Sequence, residues 1–244
     1  MNNPQYMSGT GNNFLVSEYE NTKTDIEIIS IVADSLLDID GVIFVEKIDS
    51  FTVKMHYYNN DGSSAELCVN GIRCVAKFAL DNSIVDSNEV TVVAPIGNVK
   101  TKVKEKIVSL EVSIPTYEED KLLIDGLECI KSNIGNPHLL VEVENVDKFD
   151  LEQFVQKVYE TKEFENGVNV EIFNMFDKKI INARVYERGV GETDACGSGA
   201  VCMFYYLYKT NQVNNNSFIL YPGGELEMSI EKEIVTLSGE VTYL

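Results

Sequence analysis

The chain has 244 residues, 44% of them hydrophobic and 24% charged, which is the balance of a folded globular protein with one large domain or two ordinary ones. Its formal net charge of -19 would repel a phosphate backbone and argues against nucleic-acid binding. The polar segment 1–11 lacks the apolar stretch of a signal peptide or a membrane span, so we expect a cytoplasmic protein with no membrane partner. Five cysteines are an odd count, which indicates thiols and not a disulfide framework.

The first half of the chain combines one helix with several short strands. Thr24-Asp25-Ile26-Glu27 has the form of a capping box and predicts a helix whose apolar residues continue at helical spacing to Leu37. Apolar and polar residues alternate over 51–58, which predicts a half-buried strand. Strands of the same kind are predicted over 90–94, 98–103 and 107–114. Short turn sequences join these three strands, so we expect an antiparallel meander.

After Pro115 the pattern begins again. A short helix is predicted over 151–159. The predicted strands cover 139–143, 168–173, 180–187, 218–221, 225–230 and 234–237. We therefore expect two similar α+β halves, 1–115 and 116–237, with a last strand at about 238–244 that joins the first half.

Two cysteine motifs support a duplication. Cys68 to Cys74 and Cys196 to Cys202 both read C-x-x-G-x-x-C, and each precedes a helical apolar run, 75–80 and 201–208 respectively. Their first cysteines are 128 residues apart (196 − 68), about half the chain, as duplication of one unit predicts.

The start of a helix suits a reactive cysteine. Unpaired N–H groups and a partial positive charge there favour a thiolate and bind carboxylates, so Cys68 and Cys196 could act as acid and base. Inverting an α-carbon needs a base on one face and an acid on the other, with amide N–H groups to hold the carboxylate. Two facing halves with one such cysteine each would provide this.

Other interpretations of the cysteines stay open. For Cys74, Cys129 and Cys202 we favour simple packing, since cysteine is among the most buried residue types. Zinc is disfavoured because the gap within each motif exceeds the usual ligand spacing and only two histidines are present, so we expect no metal. A redox switch formed by Cys68 and Cys196 is a third possibility.

These motifs resemble those of the diaminopimelate epimerase family, which acts in bacterial lysine and peptidoglycan precursor synthesis. Residues 66–74 resemble its first cysteine motif and residues 187–200 its second. Further resembling segments follow in the family's order: Gly11-Asn12-Asn13-Phe14, Asn59-Asn60-Asp61-Gly62-Ser63, Gly135-Asn136-Pro137-His138, Val168-Asn169-Val170 and Pro222-Gly223-Gly224. The resemblance spans nearly the whole chain.

The resemblance implies two pseudo-symmetric α+β halves, each a strongly curved, mostly antiparallel sheet around a central helix, with the active site at their interface. It implies an amino-acid substrate, no cofactor or metal, and a possible homodimer. Cys68 and Cys196 would be the catalytic acid and base, with His138 and Glu187 polarising the sulfurs. The residues implied to hold the substrate are Asn12, Asn59, Val69, Asn70, Gly71, Asn136, Asn169, Glu187, Arg188, Gly197 and Ser198.

Three positions depart from the family pattern. Val69 replaces a glycine, Asn13 replaces the usual aspartate and Ser8 the usual histidine. A β-branched residue at 69 would strain a positive φ or narrow the pocket. From the resemblance, interconversion of LL- and meso-diaminopimelate is the first hypothesis. Val69 motivates the second, racemisation of another amino acid. The third is a non-catalytic thiol sensor or binding protein that kept the fold.

Overall fold

A computed structural model describes residues 1–64 and 68–244. The chain folds as two compact units, Met1–Glu111 with Ser238–Leu244, and Val112–Leu237. Glu66 and Leu67, the first two residues of the first cysteine motif, lie outside the described residues. Within the described ranges, the helices are all too short or too polar to cross a membrane.

The first unit contains two helices, α1 (Asp25–Ala33) and α2 (Val69–Asp81). Its strands are β1 (Asn2–Gly9), β2 (Asn12–Glu18), β3 (Gly41–Lys47), β4 (Thr52–Asn59), β5 (Glu89–Ala94), β6 (Gly97–Lys104), β7 (Ile107–Val112) and the second part of β17 (Ile234–Tyr243).

The strands of the first unit close on themselves. Each of β1 to β7 pairs with the next, and β17 pairs with both β1 and β7. Pairing is antiparallel except for β2 with β3 and β4 with β5. Helix α2 contacts β1 to β6 and is buried on all sides over most of its length, as expected of a helix inside a curved sheet.

Several predicted elements of the first unit are confirmed. The capping box starts α1: Thr24 N donates to Glu27 Oε2 at 2.8 Å, and Glu27 N donates to Thr24 Oγ1 at 3.3 Å. The meander of β5, β6 and β7 is antiparallel as predicted. The prediction that helical spacing continues to Leu37 was wrong, because α1 ends at Ala33 and the Leu36 N–H donates to the Tyr6 hydroxyl instead.

The second unit has helices α3 (Leu151–Glu160) and α4 (Gly197–Lys209), and one turn of 3-10 helix at Val146–Lys148. Its strands are β8 (Thr116–Tyr117), β9 (Leu122–Ile124), β10 (Leu127–Asn133), β11 (Pro137–Glu142), β12 (Asn169–Met175), β13 (Ile180–Glu187), β14 (Gly191–Thr193), β15 (Asn216–Tyr221), β16 (Gly224–Glu231) and the first part of β17.

The strand pairing of the second unit repeats that of the first. β10 to β11, β12 to β13 and β15 to β16 are antiparallel, while β11 to β12 and β13 to β15 are parallel. One helix, α3, lies in the chain between β11 and β12, as α1 lies between β2 and β3. The central helices α2 and α4 have the same length, 13 residues, and start at the same place in each repeat.

The predicted α+β class with two similar halves is confirmed, since each unit by itself is a mostly antiparallel sheet with a buried helix. One detail was wrong. The segments predicted as separate strands, 234–237 and 238–244, form the single strand β17, which passes from the second unit into the first.

Candidate active site

Cys68 and Cys196 occupy equivalent positions as the N-cap residues of α2 and α4. Both have extended backbone, and each sulfur accepts a backbone N–H from the first turn of its helix. Gly71 N donates to Cys68 Sγ at 3.3 Å, and Gly199 N donates to Cys196 Sγ at 3.5 Å. A helix start therefore presents its N–H groups to each sulfur, an arrangement that favours negative charge there.

A buried polar network follows Cys68 in the first unit. The side-chain amide of Asn70 donates to Asn12 Oδ1, and Arg73 Nη1 donates to Asn70 Oδ1 at 2.9 Å. Arg73 Nη2 donates to Thr10 Oγ1 at 2.7 Å. Two residues predicted to hold substrate, Asn12 and Asn70, are thus in direct contact, and Arg73 holds one of them in place.

The turn between β1 and β2 positions this network. Gly9 pairs with Asn12, so only Thr10 and Gly11 form the hairpin loop, and both have positive φ, 54° and 87°. Such two-residue loops match the twist of the flanking strands. Threonine is rare at positive φ, and its cost there is offset by the hydrogen bond from the Arg73 guanidinium.

Arg73 is a fully buried cation. Burial lowers the pKa of its guanidinium to about 10, while the negative charge available at Cys74 and Cys68 acts in the opposite direction. Among the described residues no carboxylate forms an ion pair with Arg73, and its Nε has no hydrogen-bond partner. The positive charge of Arg73 within α2 therefore favours anions near Cys68, whether a thiolate or a substrate carboxylate.

Two further predicted residues of the first unit behave differently. Val69 is the first residue of α2, is buried, and does not have the positive φ that would have strained a β-branched side chain. Val69 therefore takes up volume at the start of α2 without straining the backbone. Asn59, at the end of β4, is half-buried, and its Nδ2 donates to Ser63 Oγ at 2.9 Å.

In the second unit, Cys196 lies beside a buried His–Glu pair. His138 Nδ1 is 2.8 Å from Glu171 Oε1, and His138 Nε2 is 3.0 Å from Asn136 Oδ1. A ring nitrogen of His138, a carboxylate oxygen of Glu171 and Cys196 Sγ all lie within 4.8 Å of one another. These are types of group that also bind metals, and the prediction that no metal is bound stays a prediction.

The surroundings of Cys196 favour the thiol over the thiolate. Burial raises the pKa of Cys196 well above its ordinary value, and the negative charges of Glu187 and Glu171 raise it further. The hydrogen bonds from Ser198 and Gly199 lower it, but by less. At Cys196, desolvation and the two carboxylates therefore outweigh the hydrogen bonds from the helix start, and the thiol is favoured.

The remaining predicted residues of the second unit form two groups. Glu187 accepts from Thr193 Oγ1 at 2.6 Å, and Ser198 Oγ lies 3.3 Å from Cys196 Sγ. Asn169 Oδ1 accepts from Arg188 N at 2.8 Å, while the Arg188 guanidinium is exposed and donates to Asn166 O at 3.3 Å. Gly197 is the first residue of α4 and is buried.

Comparisons with known proteins identify the family of this chain. The sequence model described as "Diaminopimelate epimerase" matches residues 5–114 and 130–244. A diaminopimelate epimerase of Thermotoga maritima is 33% identical over 239 residues, covering 96% of this chain and 96% of that protein. The chain belongs to the diaminopimelate epimerase family. Another diaminopimelate epimerase, from Methanococcus maripaludis, is 32% identical over 249 residues, covering 90% of this chain and 88% of that protein. Membership of the family makes this chain an isomerase.

Solved structures share the fold at lower identity. A predicted epimerase from Pseudomonas aeruginosa has a TM-score of 0.76 at 12% identity, covering 99% of this chain and 96% of that one. A hydroxyproline epimerase from Agrobacterium vitis, with trans-4-hydroxy-L-proline bound, has a TM-score of 0.75 at 12% identity. The match covers 99% of this chain and 90% of that one. The fold of this diaminopimelate epimerase family member is therefore shared with one protein described as a predicted epimerase and one described as a hydroxyproline epimerase.

Sequence reasoning missed three polar residues that contact the predicted site residues or their partners. Arg73 was part of the first motif but was given no role. Thr10 stands in the segment adjoining Asn12, and its positive φ has no clear sequence signal. Glu171 had a usable signal, because it is the one acidic residue in the otherwise apolar or amide-bearing strand Asn169–Met175, and a charge in a buried strand needs a partner.

Proposed function

We propose that this protein interconverts LL- and meso-diaminopimelate without a cofactor, using Cys68 and Cys196 as base and acid, in lysine and peptidoglycan precursor synthesis. The observation that carries the proposal is the equivalent placement of the two cysteines, each as the N-cap of a buried 13-residue helix and each accepting an amide N–H at its sulfur. The names of the relatives from Thermotoga maritima and Methanococcus maripaludis support the substrate.

In the proposed reaction, one thiolate removes the α-proton and the other thiol delivers a proton to the same carbon from the opposite face. The first thiolate gains an S–H bond as the C–H bond breaks, and the electron pair of that C–H bond passes into the substrate carboxylate. The second thiol loses its proton as the new C–H bond forms, and no covalent bond joins substrate and enzyme. The N–H groups at the starts of α2 and α4, near Asn70, Gly71, Gly197 and Ser198, would stabilise that carboxylate. The thiolate and thiol exchange roles when the direction reverses.

The charged residues around the two cysteines suggest how the roles are divided before substrate binds. Arg73 supplies buried positive charge in the first unit, which contains Cys68, whereas Glu171 and Glu187 supply negative charge around Cys196. Cys196 is thus suited to hold its proton, and Cys68 to be the thiolate. His138, in contact with Glu171, would assist proton transfer at Cys196.

The polar residues around these helices would hold the amino acid. Side-chain amides and an arginine can pair with a carboxylate, while a glutamate and amide oxygens can accept from an ammonium group. We assign the non-reacting amino-acid end of the substrate to Asn12, Asn59, Asn136, Asn169, Glu187 and Arg188.

Deuterium incorporation at the α-carbon tests this function. Purified protein in heavy water should exchange the α-hydrogen of LL- and meso-diaminopimelate and convert each into the other, and it should turn over monocarboxylic amino acids much more slowly. Absence of exchange with every amino acid in the panel would favour a non-catalytic thiol protein. The reaction is expected in the cytoplasm, where thiols stay reduced.

One observation favours a second candidate, racemisation of a different amino acid. Val69 occupies the first turn of α2 where the resembled family has glycine, and its buried side chain takes space beside the amide groups proposed to hold the carboxylate. A smaller amino acid turned over faster than diaminopimelate in the same panel would support this candidate.

A further inference from the structure

Glu171 is a buried carboxylate whose partner is a histidine. The side chains of Glu171 and His138 are both completely buried, and Nδ1 of the ring lies 2.8 Å from Oε1 of the carboxylate. In the described part of the chain, Glu171 forms no ion pair with a lysine or arginine, and its Oε2 has no hydrogen-bond partner. Burying a carboxylate so incompletely paired is unfavourable, so packing alone does not account for an acidic residue here.

The register of β11 and β12 places Glu171 toward the helix of Cys196. His138 pairs with Asn169 and Leu140 with Glu171, so His138 and Glu171 lie on the same face of the two parallel strands. Residues of the opposite face, such as Leu139 and Val170, belong to the apolar cluster around α3. On the Glu171 face, α4 approaches so closely that a Cβ on Gly199 would lie 2.6 Å from the carboxylate carbon of Glu171.

This packing brings Glu171 and His138 close to Cys196. A carboxylate oxygen of Glu171, a ring nitrogen of His138 and Cys196 Sγ lie within 4.8 Å of one another. A carboxylate at one nitrogen of an imidazole fixes the orientation of the ring and the position of its proton. The titratable and polar side chains that lie around Cys196 are Glu171, Glu187, His138, Ser198 and Tyr221.

We propose that Glu171 is a positioning residue for the Cys196 side of the reaction: it holds His138 through Nδ1 and its negative charge favours the protonated Cys196 thiol. Glu171 does not contact the reacting carbon in this proposal and acts through His138 and Cys196. The inference rests on the proposed function for its catalytic consequence, whereas the effect on the Cys196 thiol is independent of any substrate.

Two variants separate the charge of Glu171 from its contact with His138. Glu171→Gln removes the charge, and we expect kcat for diaminopimelate to fall about 10- to 100-fold with little change in KM. Glu171→Asp keeps the charge but retracts it from the ring by one methylene, and kcat should again fall. Glu142→Gln, an exposed position on the neighbouring strand β11, is the matched control and should match the wild type.

A titration without substrate completes the test. The ultraviolet absorbance of the Cys196 thiolate, obtained as the difference between each protein and its Cys196→Ala counterpart, should appear at lower pH in Glu171→Gln and stay near wild type in Glu171→Asp. An unshifted titration in Glu171→Gln, or unchanged kcat in Glu171→Asp, would overturn the proposal. Wild-type protein inactive toward diaminopimelate would instead overturn the proposed function and leave the titration as the test of Glu171.

Discussion

Arg73 Nη1 donates to Asn70 Oδ1 at 2.9 Å within the first turns of α2, and both side chains are buried. The guanidinium therefore fixes an amide whose other end contacts Asn12. Arginine can do this while its second nitrogen reaches Thr10, since its donors form a rigid fork. A single cation thus connects the β1–β2 hairpin to the helix that begins at Cys68.

Replacing Arg73 with lysine should therefore be costly. The ammonium keeps the charge but cannot satisfy both Asn70 and Thr10, and a buried acceptor left without a donor costs about 1–3 kcal/mol. We expect Arg73→Lys to lower the free energy of unfolding by that amount and to reduce the epimerisation rate. Lys77→Met on the same helix removes an ion pair with Asp81 and a contact with the Tyr243 ring. It leaves no fully buried polar group unpaired and should cost only about 1 kcal/mol. Equal effects of the two substitutions in urea denaturation would contradict the assigned role.

Substitution of either N-cap cysteine should stop inversion. Because the proposed mechanism needs an acid and a base, Cys68→Ala and Cys196→Ala should each lower the epimerisation rate about 10²- to 10⁴-fold or more, while circular dichroism shows a folded protein. Cys74→Ala and Cys202→Ala, six residues downstream in the same helices, serve as matched controls. Full activity in either N-cap variant would refute the assignment.

The alkylation of Cys196 should depend on pH in a predictable direction. Since burial, Glu187 and Glu171 raise the pKa of Cys196, its reactive thiolate becomes abundant only under alkaline conditions, and its rate of reaction with iodoacetamide should rise steeply there. Removing a nearby negative charge stabilises the thiolate, so Glu187→Gln should shift this rise to lower pH. Peptide mass spectrometry reports the modification of Cys196, and the exposed Glu225→Gln is the control. A shift toward higher pH would contradict this electrostatic account.

Equivalent glycines in the two helices should differ in their tolerance of alanine. A Cβ on Gly199 would collide with the buried Glu171 side chain, whereas on Gly71 it would meet the flexible end of Met55 at 2.9 Å. Alanine in a helix gains about 1 kcal/mol over glycine, while overpacking costs about 1–3 kcal/mol. Gly199→Ala should therefore be the more destabilising variant in thermal unfolding, and it should also impair catalysis through the His138–Glu171 pair. Similar melting temperatures for the two would refute the difference.

Removal of metals should leave the activity unchanged. His138, Glu171 and Cys196 could in principle ligate zinc, but the ring and carboxylate already contact each other at 2.8 Å and the proposed chemistry needs only protons. Dialysis against a chelator, followed by metal analysis and assay, should yield a metal-free and fully active protein. Loss of activity that returns on adding zinc would contradict the proposal.

Local signals predicted the starts of elements better than their ends. The capping box at Thr24 identified where α1 begins, because the residues that make the cap are adjacent in sequence. The chain after α1 is held by a distant residue: the Leu36 N–H donates to the hydroxyl of Tyr6, which lies in β1, 30 residues earlier. The strand β1 was missed because its polar residues do not alternate with apolar ones, and pairing with β2 and β17 holds it in place.

The same limit applies to the candidate site. The C-x-x-G-x-x-C repeat and the apolar runs after it placed both cysteines before helices, and the structure shows them as N-caps. The partner of Glu171 could not be identified in this way, because His138 is 33 residues away and meets it only through the parallel pairing of β11 with β12. Arg73 likewise depends on a hairpin 63 residues earlier.

The continuous strand β17 has a consequence for attempts to shorten the chain. Its residues Val241 to Tyr243 pair with β1, and β17 also pairs with β7. Ser238–Leu244 thus belongs to the first unit although it follows the whole second unit in the sequence. A C-terminal truncation at Leu237 would leave β1 and β7 as open edges with unpaired N–H and C=O groups, which are templates for intermolecular association. Loss of a seven-residue tail should thus cause aggregation of a unit that lies at the opposite end of the sequence.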